Sequence, residues 1–264
     1  MDRARRRRFG QNFLDDETAK LIAGDLPGNG LETILEIGPG HGAMTDFLLE
    51  KSSQLTAVEI DYECVRFLRK KFAKEPKFKV IAEDFLKFDL EAWLRENPGA
   101  WLTGNLPYNV STAIMERIVP QLRLASGFMG MVQLEVAERL CAVPGMHAYG
   151  SLSVFVSSFA EAKILRKIGP EHFTPRPNVE SATMLVLPRK APLKAPEGFF
   201  EFVREAFAQK RKRLANSLSS KCEKSSVIEA LETIGLSENA RAEELSPEQF
   251  LKLFHALAHS IFGA

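Results

Sequence analysis

The stretch "GNLPYN", Gly104 to Asn109, sets an amide, a proline and a phenol ring between two apolar runs. "AWLT" before it reads as a buried strand, and "VSTAIMERIV" after it reads as a helix. Polar side chains at the C-terminal mouth of a parallel sheet are where open α/β sheets hold ligands. A second chemical group lies earlier in the chain. "EIGPGHGA" carries glycines at 38, 40 and 42, which let the backbone turn tightly and approach a ligand beside the free amides of a helix start. Glu59 closes a second strand in "AVEID", and Asp84 follows a third in "IAEDF". Gly38, Gly40 and Ala43 also satisfy a dinucleotide fingerprint, with an acid about 20 residues on.

The two acids sharpen the choice. A carboxylate at Glu59 can accept both hydroxyls of a ribose, and one at Asp84 can accept an adenine amino group. A nicotinamide site needs the first and has no standing use for the second. Taken singly, Gly38 and Gly40 could form an ordinary turn and Asp84 could be a surface acid at a strand end. Taken together, the three features suit S-adenosylmethionine. The later turn then fits a methyl acceptor. An adenine amino nitrogen is a poor nucleophile because its lone pair is delocalised into the ring. The Asn105 side-chain oxygen and the Leu106 carbonyl, stiffened by Pro107, can accept its two hydrogens and push the nitrogen toward a tetrahedral shape. Tyr108 can stack on the base. Catalysis of this kind is positioning and electrostatic stabilisation, with no general base required.

The elements that must hold these groups alternate. "TILEIG", "QLTAVEI", "KFKVIAED", "AWLTGN" and "FMGMVQL" read as buried strands, with Met129 and Met131 in the core. "AMTDFLLEKS" and "YECVRFLRKKFAK" read as helices between them. The alternation predicts an α/β fold with a doubly wound, mostly parallel sheet. "SLSVFVSSFAEAKIL" fits strand and helix patterns equally, and "SATMLVLP" is a final strand. From "RKAPLKAPEG" the composition shifts to Lys and Pro, and "FFEFVREAFAQKRKRLANSL", "SSVIEALETIG" and "SPEQFLKLFHALAHSIF" are helical. The reading is a catalytic domain over 1–188, with a basic arm at 1–10, and a small α-helical domain over 189–264.

Bulk properties narrow the partners. Net charge is +1, so affinity for nucleic acid must come from local clusters. Two exist: "RARRRR", with Arg5, Arg6, Arg7 and Arg8, and "QKRKR", with Lys210, Arg211, Lys212 and Arg213, expected to decorate a helix. Cys64, Cys141 and Cys222 have no metal or redox spacing. His255 and His259 stand four apart without a third ligand, so no metal site is expected. No apolar run approaches the roughly 20 residues of a membrane span. The charged "GQNFLDDETAK" after the arginines does not read as a signal peptide. These features suit a cytoplasmic protein.

"RFGQNFL", "EIGPGHGAMT", "NLPYNVST", "QLEVAERL", "AYGSLSV" and "FTPRPNVESA" occur in an order and spacing that resemble the ribosomal RNA adenine dimethyltransferase family, over essentially the whole chain. The resemblance implies a Rossmann-like, class I S-adenosylmethionine-dependent methyltransferase fold. Within the family it points to enzymes that dimethylate N6 of two adjacent adenosines near the 3′ end of 16S ribosomal RNA. That implies a small-subunit substrate, a role in subunit biogenesis and a monomeric protein. It further implies cofactor contacts from Asn12 and Leu14, along with Gly38, Glu59, Asp84 and Asn105. Phe173 would close the other face of the flipped adenine, with Pro175 and Pro177 stiffening its loop. It also resolves the ambiguous stretch into a short helix from about Gly150 and then a strand. His41 departs from the usual pattern, where an apolar residue is common. Tyr149 and Gly150 match a family block but carry no assigned role. The alternatives are a 23S ribosomal RNA adenine methyltransferase of the macrolide-resistance type and a small-subunit assembly factor whose methylation is secondary.

Overall fold

The computed structural model describes residues 13–28, 30–209 and 212–257. Its strands are β1 (Phe13–Leu14), β2 (Glu32–Ile37), β3 (Ser52–Glu59), β4 (Phe78–Ala82), β5 (Trp101–Asn105), β6 (Gly127–Gln133), β7 (Ala160–Ile168), β8 (Phe173–Thr174) and β9 (Ser181–Pro188). Seven form one sheet in the order β4-β3-β2-β5-β6-β9-β7. Strands β2 to β6 pair in parallel, and β9 runs antiparallel to both of its neighbours. Near-continuous apolar sequence suits strands covered on both faces. Four of the six residues of β2 are buried, as are six of the seven of β6.

The chain steps outward from β2 to β3 and β4, then returns to lay β5 on the other side of β2. This reversal opens a crevice at the C-terminal ends of β2 and β5. Gly104 permits the neighbouring strands to lie this close, because a Cβ there would run into the Ile37 carbonyl oxygen.

Between the strands lie α1 (Asp16–Asp25), α2 (Thr45–Glu50), α3 (Tyr62–Lys71), α4 (Leu90–Glu96) and α5 (Ser111–Ile118), and α6 (Leu134–Cys141) follows β6. The Asp61 side chain accepts the Glu63 amide at the start of α3, and Arg69, Lys70 and Lys71 occupy its last turn. Both placements complement the helix dipole. Cys64, Val65 and Leu68 form its buried stripe. Helix α2 is shorter than its apolar pattern suggests because β3 begins at Ser52.

Two compact units divide the chain. One comprises the residues up to Ala137 together with Ala160–Arg189, and the other Glu138–Phe159 together with the chain from Lys190 onward. The expected boundary at 188/189 had kept 138–159 with the catalytic domain. The structure groups that segment with the C-terminal helices, because Val154 and Tyr149 pack into their apolar cluster. The stretch that fitted both patterns is a helix, α7 (Ser151–Phe159), followed by β7.

The second unit adds α8 (Phe199–Phe207), α9 (Leu214–Ser217), α10 (Lys224–Thr233) and α11 (Pro247–Ala256). Ser246 and Gln249 form a capping box at α11, with Pro247 at its first position. Phe199, Phe250 and Leu253 are fully buried. The Tyr149 hydroxyl donates to the buried Leu245 carbonyl at 2.8 Å, and the Gly150 amide donates to Ser153 Oγ at 3.1 Å. Tyr149 therefore ties the start of α7 to the chain before α11, and Gly150 caps α7.

Of the "QKRKR" cluster, expected on a helix, the described residues Gln209, Lys212 and Arg213 are not helical. Helix α8 ends at Phe207, and Arg213 is extended, bridged to Arg241 just before α9. The Leu214 amide is held by the Ala240 carbonyl, which fixes this break. Lys212 and Arg213 are exposed, while Lys210 and Arg211, like Arg5, Arg6, Arg7, Arg8, Asn12 and His259, lie outside the described residues. His255 is exposed on α11. Among the described residues no helix is long and apolar enough to cross a membrane.

Candidate active site

A cavity of about 330 Å³ lies at the crevice between β2 and β5. That is at the lower end of the roughly 300–1,000 Å³ usual for small-molecule sites. Each wall comes from the end of a strand. Gly38 and Gly40, with φ of 65° and 58°, turn the chain out of β2, and a Cβ on Gly40 would meet the Phe13 ring at 3.1 Å. The loop is therefore shaped for close approach, at a conformation that L side chains resist.

Glu59, at the end of β3, is 4% exposed. Its Oε2 accepts the Gly40 amide at 3.0 Å, and its Oε1 accepts the Asp61 amide at 2.7 Å. Burial holds its carboxyl above the ordinary range, and these amides pull the other way. One carboxylate thus ties the glycine loop to the turn into α3. Its remaining acceptor positions suit a diol. Asp84 is half-buried beyond β4, with Oδ1 taking the Leu86 amide at 3.0 Å. This set fits a ligand carrying a ribose and an adenine. The glycine loop leaves room for it, Glu59 and Asp84 supply carboxylates on the wall, and apolar residues such as Ile37, Val58 and Phe85 line the remainder.

The turn after β5 forms the opposite wall. Asn105, Leu106, Pro107 and Tyr108 all line the cavity. The Leu106 amide donates to the Met131 carbonyl at 2.9 Å, and the Val110 amide to the Pro107 carbonyl at 3.2 Å, so the turn is held at both ends. The Tyr108 hydroxyl meets Ser181 Oγ at 2.6 Å.

Leu14 also reaches the cavity, from β1. β1 pairs antiparallel with β8, Leu14 opposite Phe173, and the Asp15 amide donates to the His172 carbonyl at 3.0 Å. Phe173 itself is 4% exposed in the apolar cluster around Leu14 and is not on the cavity wall. Its ring is buried in the same apolar cluster as Leu14 and Ile168. His41 stacks on Phe13, ring centroids 4.8 Å apart and planes 9° apart, so the unusual histidine buttresses a residue of the wall.

Glu36 and Phe13 are among the wall residues that sequence reasoning missed. Glu36 is 2% exposed, and its Oε2 accepts the Thr45 hydroxyl at 2.6 Å. Burial pushes its carboxyl up to about 7, with the nearby Glu59 adding to the effect. An acid inside the apolar run "TILEIG" was the available signal. Phe13 had only its place beside Leu14 to mark it.

A family model described as ribosomal RNA adenine dimethylase matches residues 2–259. The ribosomal RNA small subunit methyltransferase A of Synechococcus sp. (strain JA-3-3Ab) is 39% identical over 259 residues, covering 94% of this chain and 91% of that protein. Its namesake in Hydrogenovibrio crunogenus (strain DSM 25203 / XCL-2) is 37% identical over 255 residues, 94% of each chain. Among solved structures, the 23S rRNA methyltransferase ErmE superposes with a TM-score of 0.70 at 27% identity, covering 94% of this chain and all of that one. A dimethyladenosine transferase from Plasmodium falciparum gives 0.80 at 21% identity over 95% and 98%, a likeness of fold.

Proposed function

The chain belongs to the ribosomal RNA adenine dimethylase family, and from that premise we propose that it methylates N6 of two adjacent adenosines near the 3′ end of 16S ribosomal RNA, in the small subunit, to N6,N6-dimethyladenosine. S-adenosylmethionine, when bound, supplies the methyl group as an electrophile. The observation that carries the reading is the shared cavity. Gly38, Gly40, Glu59 and Asp84 on one side and Asn105 to Tyr108 on the other line the same space.

The chain's own residues divide the work. Glu59 and Asp84 accept hydrogen bonds from the ribose and adenine of the cofactor, and Leu14 packs against it. The Asn105 side-chain oxygen and the Leu106 carbonyl accept the two hydrogens of the target amino group, favouring a tetrahedral nitrogen. Tyr108 offers its ring to the target base. The apolar lining excludes water, so each of these dipoles counts for more than it would in solvent. The target adenine must be unstacked from its RNA before it can enter. Exposed Lys212 and Arg213 are candidates to meet the surrounding phosphates.

The likeness to ErmE favours a large-subunit target as the second reading. The small-subunit assignment is preferred because relatives at 35–39% identity carry that name. Incubation with labelled S-adenosylmethionine and small subunits lacking the modification, followed by mass spectrometry of nucleosides, separates the two. Dimethyladenosine in the 3′-terminal fragment supports the proposal, whereas label only in naked large-subunit RNA overturns it. Asn105→Ala is expected to lower transfer by about a hundredfold or more while RNA binding persists. Unchanged transfer would remove the role given to that amide.

A further inference from the structure

Tyr108 sits in the turn after β5 with its ring at the cavity wall and its hydroxyl 2.6 Å from Ser181 Oγ. The distance lies at the short end of the roughly 2.5–3.0 Å range for hydroxyl pairs. Ser181 is an unusually firm anchor. It is fully buried, opens β9, and is paired on both sides, with Gln133 of β6 and Ile168 of β7. The residue before it is tied as well, since the Glu180 carbonyl accepts the Leu134 amide at 3.0 Å. An aromatic ring attached only through its Cβ swings about that bond. Here the near end is carried by a proline-stiffened turn and the far end by the middle of an antiparallel triplet of strands. The ring is pinned at both ends.

We infer that Ser181 is a positioning residue for methyl transfer, acting through Tyr108. The inference rests on the reading of Tyr108 as the ring that stacks on the target adenine. Base tilt sets the direction of the N6 lone pair, and transfer requires that lone pair in line with the breaking carbon–sulfur bond. Ser181 therefore controls the rate of transfer rather than the binding of either substrate. The second methylation is the more sensitive step, because the nitrogen then carries a methyl and must be presented in a more crowded pocket.

The test compares Ser181→Ala, Tyr108→Phe, the double variant and Ser181→Thr in the full chain on unmethylated small subunits. The measurements are kcat, KM, cofactor affinity by equilibrium dialysis, melting temperature and the ratio of monomethyl- to dimethyladenosine. Ser181→Ala and Tyr108→Phe should each lower kcat by about ten- to a hundredfold, the cost of a small misplacement of reacting groups. KM and cofactor affinity should stay within about twofold, and monomethyladenosine should accumulate. The double variant should be no worse than either single one, because both remove the same bond. Ser181→Thr, which keeps the hydroxyl, should restore most of the rate. A lowered melting temperature with unchanged kcat and product ratio overturns the inference, as do additive losses in the double variant. If the unmodified protein methylates no adenine, the functional reading and this inference fall together. If it does so and Ser181→Ala is unimpaired, only this inference falls.

Discussion

A carboxyl group that must sit in an apolar crevice keeps its proton longer than one in water, and Glu36 is such a group. Its carboxyl is raised from 4.5 to about 7 by burial. The folded state therefore binds more protons than the unfolded chain between about pH 4.5 and about pH 7, and stability falls as pH rises through that window. Glu36→Gln keeps an oxygen to accept the Thr45 hydroxyl but removes the charge. The variant should lack this loss, which amounts to at most roughly 3 kcal/mol. Thermal melts of the two proteins across the window should diverge with rising pH, with the variant the more stable above it. Parallel curves would mean that the Glu36 carboxyl is not held above its ordinary range. At this scale Glu59, Asp84 and the residues of the "NLPY" turn were legible in the sequence, because each stands at the end of an apolar run where a buried charge or amide has no packing role. Glu36 was hidden inside such a run.

Among the elements, the meeting of β2 and β5 decides whether the cavity has two walls. Gly104 lies where a side chain would strike the Ile37 carbonyl. Gly104→Ala should shift β5 away from β2 at a cost of about 1–3 kcal/mol, as overpacking usually does. Asn105 would move with it, relative to Gly38. A lowered midpoint in chemical denaturation together with a fall in methyl transfer is the expected pair of results. An unchanged midpoint would show that the strands have slack at this point. Helix and strand identities were largely readable from period and caps, α3 and α11 most clearly. The run from Phe199 to Leu218 was not, because its helical pattern continues past Phe207, where the helix ends, to Arg213, which pairs with Arg241 instead.

For the whole molecule, a net charge of +1 leaves RNA affinity to local positive charge. If exposed Lys212 and Arg213 each neutralise one phosphate, replacing both with alanine should weaken subunit binding. The slope of log affinity against log salt should then shrink by about 0.9 for each duplex phosphate no longer neutralised. Binding measured over a salt series checks this, and an unaltered slope would show that neither side chain meets the RNA. The sequence by itself determined the α/β order of the first unit, the helical character of the chain's last quarter, the glycine loop, the two acids and the aromatic turn. All of these are properties of consecutive residues: hydrophobic period, turn chemistry and spacing along one strand or loop. Only the tertiary structure decided that residues 138–159 join the C-terminal helices, that Phe173 packs beside Leu14, that Thr45 satisfies Glu36 and that Ser181 holds Tyr108. Those pairings depend on which buried surfaces meet, and separation along the chain carries no record of that.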